Sequence, residues 1–150
     1  METAVDSERI GVQKEWVGRR ILIADDVPQL RNLYSTALEL QGYKVLLTVE
    51  SGEEVVKLAK LGKLDKVDVA ILDYSMGDIN GLVAGIEATK SNPRIRIIID
   101  SANPKIKDQV SSSGFSFLRK PFGQTELLKL LDSIGKDGPP RSNASGGRKY

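Results

Sequence analysis

Between residues 19 and 135, short apolar runs rich in β-branched residues alternate with longer segments whose apolar side chains recur every three or four positions. The short runs predict strands at Arg20–Ala24, Lys44–Thr48, Val67–Leu72, Arg96–Asp100 and Phe115–Leu118. Several are apolar at consecutive positions, as strands covered by helices on both faces should be. Leu30, Leu33, Tyr34, Ala37 and Leu38 mark one face of a first helix, opened by Pro28 and ended at Gly42. Val55, Leu58 and Ala59 mark a second helix, Leu82 and Ile86 a third, Ile106 and Val110 a short fourth. Leu127, Leu128, Leu131 and Ile134 mark a fifth.

Five βα units joined by right-handed crossovers predict an α/β fold, a doubly wound (βα)5 arrangement around a five-stranded parallel sheet. In such sheets ligands sit beyond the carboxyl ends of the strands, where the strand order reverses, so functional residues are expected there. The flanks differ in kind. Residues 1–18 form a largely polar extension that includes Val12, Trp16 and Val17, and residues 136–150 are Gly/Pro/Ser-rich without periodicity, predicting a disordered tail after a domain spanning 19–135.

Composition narrows the chemistry. One domain is the expectation for 150 residues. With no cysteine and no histidine, disulfides, thiol chemistry and imidazole bases are excluded, leaving carboxylates, lysines and hydroxyls. No apolar stretch approaches the ~20 residues of a membrane span, and the N-terminus lacks a signal peptide's apolar centre, so a soluble, cytoplasmic protein is expected. The net charge of +2 comes from interspersed charges of both signs, with no basic block in the body of the chain, so neither nucleic acid nor membrane is an expected partner.

Polar residues fall just after the predicted strands: Asp25 and Asp26 after the first, Asp73 after the third, Ser101 after the fourth and Lys120 after the fifth. Each alone suits an N-cap, a turn or an ordinary loop. Together they suggest more, because a strand order with the first and third strands adjacent gathers three aspartates into one pocket. Carboxylates that close require a cation, and hard oxygen donors with room for water suit Mg²⁺ or Mn²⁺. Metal, lysine and hydroxyl around one aspartate point to phosphoryl transfer, which rests on positioning and charge neutralisation.

The segments "ILIADDVPQLRNLYSTALELQGYKV", "VDVAILDYSMGDINGL", "IIIDSA" and "FLRKPF" together resemble the receiver domain of two-component response regulators, the CheY-like family, from about Arg19 to Ile134. The resemblance implies strand order 2-1-3-4-5 and a flavodoxin-like topology. It implies that Asp73 accepts a phosphoryl group from the phosphohistidine of a histidine kinase or a histidine phosphotransfer protein. Asp26, Asp73 and the backbone carbonyl of Ser75 would hold Mg²⁺, and Asp25 would reach it through water. Lys120 would pair with the phosphoryl oxygens and Ser101 would donate its hydroxyl. Phe117 occupies the switch aromatic position, which a plain core phenylalanine fills equally well.

The expected output is a protein contact through the fourth helix, fifth strand and fifth helix. The residues after Ile134 are too few for a DNA-binding module, so a stand-alone type is expected, as a monomer or a phosphorylation-dependent dimer with an unknown downstream target. It would catalyse only its own phosphorylation and dephosphorylation and is not expected to be an enzyme in the ordinary sense. Met76 is followed by Gly77 where the family commonly has proline, which predicts a looser turn and weaker Mg²⁺ binding. Small polar Ser75 and Asn103 predict a site open to water.

Three other readings compete. A flavodoxin-like cofactor binder would need a phosphate loop where Asp25-Asp26 stands. An aspartyl phosphatase of the haloacid-dehalogenase type would need an aspartate where Ser75 stands. A receiver fold serving as an interaction module without phosphorylation would be expected to have lost one of the acids or the lysine.

Overall fold

The computed structural model describes residues 20–137; the N-terminal extension and the tail from residue 138 lie outside the described residues. Five parallel strands form one sheet in the order β2-β1-β3-β4-β5. They are β1 Arg20–Ala24, β2 Lys44–Val49, β3 Val69–Asp73, β4 Arg96–Ser101 and β5 Ser116–Arg119. The helices are α1 Pro28–Leu40, α2 Gly52–Lys60, α3 Gly81–Ser91, α4 Lys107–Ser112 and α5 Gln124–Asp137, with a 3₁₀ turn at Pro104–Ile106 leading into α4. No helix among the described residues is long and apolar enough to cross a membrane.

The two sheet faces carry separate cores, because alternate residues of each strand point to opposite sides. Ile21, Ile23, Val69, Ile71, Ile98 and Leu118 pack under α1 and α5, against Tyr34, Leu38, Leu127 and Leu131. Leu22, Ala24, Ala70, Leu72, Ile97 and Ile99 face the other way, against Val55 and Ala59 of α2, Ala84 and Ala88 of α3 and Val110 of α4. Both faces of β3 are therefore sealed, which explains its unbroken apolar run.

Helix ends follow local chemistry. Pro28 is at the first turn of α1, and Gly42 just beyond it has φ of 94°. The side chains of Ser51 and Asn80 accept hydrogen bonds from Glu54 N and Val83 N and cap α2 and α3.

Three expectations are corrected. Leu33 is 59% exposed and Ile86 39% exposed, so neither lies on its helix's inward face. The inner face of α3 is instead Leu82, Ala84, Gly85 and Ala88. A Cβ on Gly85 would come within 3.0 Å of the Ile97 and Phe115 side chains, so these small residues let the helix lie close to the sheet. Val67 is buried but outside β3. Its carbonyl accepts from the Asn92 side chain at 3.1 Å, and the next residue, Asp68, turns its carboxylate onto the Arg20 guanidinium at 2.9 and 3.0 Å.

Candidate functional site

Strand register builds the site at the carboxyl edge. β3 runs through Asp73 and β4 through Ser101, so both are final strand residues, one position further into the sheet than expected. Asp25 and Asp73 each follow the paired residues Ala24 and Leu72, and Asp73 is itself paired with Asp100. Asp25, Asp73 and Asp100 thus form one row across β1, β3 and β4, on the face that carries Ile23, Ile71 and Ile98. All three are buried.

Lys120, after β5, closes the row. Its backbone N–H donates to the Ser101 carbonyl at 2.9 Å, and its ammonium lies 3.2 Å from Asp100 Oδ1, 3.4 Å from Asp73 Oδ1 and 3.5 Å from Asp25 Oδ2. One cation therefore serves three carboxylates. Burial would lower the Lys120 pKa, but Asp100, Asp73 and Asp25 more than reverse this and hold it above the ordinary lysine value.

Three residues at the strand ends are set by their own loops. Asp25 Oδ1 accepts from Val27 N at 2.9 Å, Asp73 Oδ1 from Ser75 N at 3.3 Å, and Ser101 Oγ from Asn103 N at 3.0 Å. Each is the side-chain-to-backbone turn that Asp and Ser form two residues on. Arg31 of α1 reaches back to the Asp25 carbonyl at 2.7 Å and closes the first loop.

Asp26 is exposed beside Asp25, and one oxygen each of Asp25, Asp26 and Asp73 can lie within 4.8 Å of the others. Three hard carboxylate donors, one open to solvent, fit Mg²⁺ with retained waters. Ser75 and Asn103 are exposed at the rim. Phe117 is half-buried against the core under α2 to α4, on the sheet face that Ile99 and Ser101 share. The structure thus gathers Asp25, Asp26, Asp73, Ser101 and Lys120 at one edge and sets Phe117 two rungs below Ser101, beside Ile99.

The loop after Asp73 is more tightly held than its glycine suggests. Met76 is fully buried and its carbonyl accepts from Gly52 N, while Asp78 N donates to Glu53 Oε2 at 3.2 Å. Gly77 has φ of 87°, a conformation proline cannot adopt. Proline is thus excluded here by backbone conformation, and contacts with Gly52 and Glu53 hold the loop on either side of Gly77. Gly77→Ala is expected to cost about 1 kcal/mol in urea unfolding and Gly77→Pro more. A Gly77→Pro protein as stable as wild type would contradict this backbone.

Asp100 and Tyr34 were not singled out from the sequence. Asp100 read as a strand end, although a charge two residues after Ile98 on a core-facing position was a usable signal. Burial, then the charges of Asp73 and Asp25, outweigh Lys120 and push Asp100 up to about 7. Burial also raises Asp73, again against the pull of Lys120. The Tyr34 phenol, stacked on Phe122 at 5.1 Å, is pushed to about 12 by burial and then by Asp100.

A carboxylate with a raised folded pKa contributes stability that is complete below its unfolded pKa and is lost as pH rises through the folded value. Metal-free protein is therefore expected to lose stability in urea between roughly pH 4 and pH 7, the span from an ordinary aspartate to Asp100. Asp100→Asn should flatten that loss, and an unchanged slope would contradict the assignment.

The family model for the response regulator receiver domain matches residues 21–132. The chain is 28% identical to the chemotaxis protein CheY of Thermotoga maritima over 123 residues, covering 80% of this chain and all of that protein. It is 32% identical to the transcriptional regulatory protein GlrR of Escherichia coli K12 over 126 residues, 82% of this chain but only 28% of that regulator's length. Among solved structures, the response regulator TrrA of Thermotoga maritima in complex with Mg²⁺ and beryllium fluoride superposes with a TM-score of 0.66. It is 31% identical, with 77% of this chain and 98% of that chain covered. With the carboxylate row, Lys120 and Ser101 at the expected strand ends, the chain belongs to the receiver domain family of two-component response regulators.

Proposed function

We propose that this receiver takes a phosphoryl group on Asp73 from the phosphohistidine of a histidine kinase or a histidine phosphotransfer protein. The observation that carries the reading is the surrounding of Asp73: its Oδ1 is engaged by Ser75 N and Lys120, and the aspartates of the β1 edge stand beside it. Among the described residues no hydrogen bond is made to Asp73 Oδ2, which suits it to form the new bond. As the oxygen–phosphorus bond forms, the bond from histidine nitrogen to phosphorus breaks, and the imidazole leaves with its electron pair and takes up a proton.

Asp25, Asp26 and Asp73, with the Ser75 carbonyl, would hold Mg²⁺, and Asp25 would do so through water. The ion's contribution is to offset charge on the transferring group. Lys120 supplies a second positive charge from the opposite side of the row, and the Ser101 hydroxyl, on the neighbouring strand end, donates to a phosphoryl oxygen. Exposed Ser75 and Asn103 leave the group open to water, so the acyl phosphate is expected to be short-lived.

Movement of Ser101 toward the phosphoryl group is read by Phe117 on the same sheet face. Without a phenol oxygen, Phe117 acts by packing, and the signal leaves through α4, β5 and α5 to a protein target or a second copy of the chain. In this reading the chain turns over no external metabolite and binds no nucleic acid.

The test is incubation of wild type with acetyl phosphate and Mg²⁺, read by intact mass. One phosphoryl group per chain is expected, absent when EDTA replaces Mg²⁺. No adduct under either condition would favour a receiver fold used as a non-phosphorylated interaction module.

A further inference from the structure

The roles above leave one buried carboxylate without a task. Asp100 is 1% exposed and lies on the rung beside Asp73, and its Oδ1 is nearer the Lys120 ammonium than either Asp73 or Asp25 is. That contact is an ion pair without a directed hydrogen bond, and Oδ1 has no hydrogen-bond partner. The Asp100 carbonyl accepts from Tyr74 N at 2.9 Å, so the backbone is tied to the start of the Asp73 loop and cannot withdraw the side chain. An apolar side chain at this position would continue the core of Ile98 without desolvating a charge. Nothing in the packing calls for a carboxylate here.

What a carboxylate does here is compete. Lys120 is a compact point charge on a flexible stem, and its position follows the anions around it. Resting on the proposed phosphoryl chemistry, we propose that Asp100 is a positioning residue that holds the Lys120 ammonium back within the carboxylate row of the unphosphorylated protein. When a phosphoryl group arrives on Asp73, Lys120 must turn toward its oxygens and leave Asp100 buried without its cation. The phosphorylated state is thereby penalised relative to the resting one, and the receiver is biased toward off.

The experiment compares wild type, Asp100→Asn and Asp100→Leu in two measurements. The first is the affinity for beryllium fluoride in saturating Mg²⁺, a non-covalent stand-in for the phosphoryl group. Both variants are expected to bind about tenfold tighter, the size typical of coupling between contacting charged groups. The second is the ¹⁵N signal of the Lys120 ammonium in the free protein, assigned by its loss in Lys120→Met. It is expected to be slow to exchange in wild type and to shift and exchange faster in both variants. Tighter binding with an unmoved ammonium signal overturns the proposal, since Asp100 would then act by charge alone. A moved signal with unchanged affinity overturns it too. A wild type that binds no beryllium fluoride and gives no acetyl phosphate adduct removes the phosphoryl reading and this proposal with it. The ammonium signal separately judges whether Lys120 is held by Asp100.

Discussion

Asp73→Asn is expected to gain no phosphoryl group from acetyl phosphate and Mg²⁺ under conditions that label wild type fully. An amide oxygen keeps the size of the side chain and its hydrogen bond from Ser75 N, but it lacks the negative charge needed for attack on phosphorus. Loss of labelling would therefore come from chemistry and not from a collapsed loop. The same variant is expected to be more stable than wild type without metal, by about 1 kcal/mol, because it removes the central charge from a row of like charges on adjacent strands. Intact mass and urea unfolding together check both halves. Equal labelling of the two proteins would move the acceptor elsewhere and sink the assignment.

Lys120→Ala has the opposite expected effect on stability. It removes the cation from between Asp25, Asp73 and Asp100 and leaves buried carboxylates uncompensated, a change worth about 3 kcal/mol at pH 8. The loss should shrink toward pH 5, where Asp100, already raised to about 7, is protonated in the folded protein. Urea unfolding at the two pH values measures this. Mg²⁺ should restore part of the stability at pH 8, since Asp25, Asp26 and Asp73 remain to bind it. The phosphoryl group should no longer be coupled to β5, so phosphorylation-dependent shifts around Phe117 should disappear. A variant as stable as wild type at pH 8, or one whose Phe117 still responds, would contradict the role given to Lys120.

Much of this arrangement was legible in the sequence because parallel sheets are simple in one respect. Strands buried on both faces read as unbroken apolar runs, and the polar residue that ends each run lands on a shared edge. Asp25, Asp73, Ser101 and Lys120 all end apolar runs of this kind and share the carboxyl edge. Helix faces were less legible. Leu33 and Ile86 fit a helical period but sit near the border of the apolar stripe, and α3 turns its alanines and Gly85 inward because its neighbours are close. Hydrophobicity alone does not encode that distance. Asp100 was missed for a related reason: its role arises from the register that pairs it with Asp73 and from Lys120 two strands away from Asp73. Neither is visible within "IIIDSA" itself.

The three strand-end turns have a consequence of their own. Asp25, Asp73 and Ser101 each give one side-chain oxygen to the backbone N–H two residues on. Their rotamers are therefore selected by the loops during folding, and little side-chain freedom remains to be lost when an ion or an anion enters. Binding at this edge should carry a small entropic penalty for these ligands, and the flexible members, exposed Asp26 and the Lys120 stem, should account for most of the ordering that occurs.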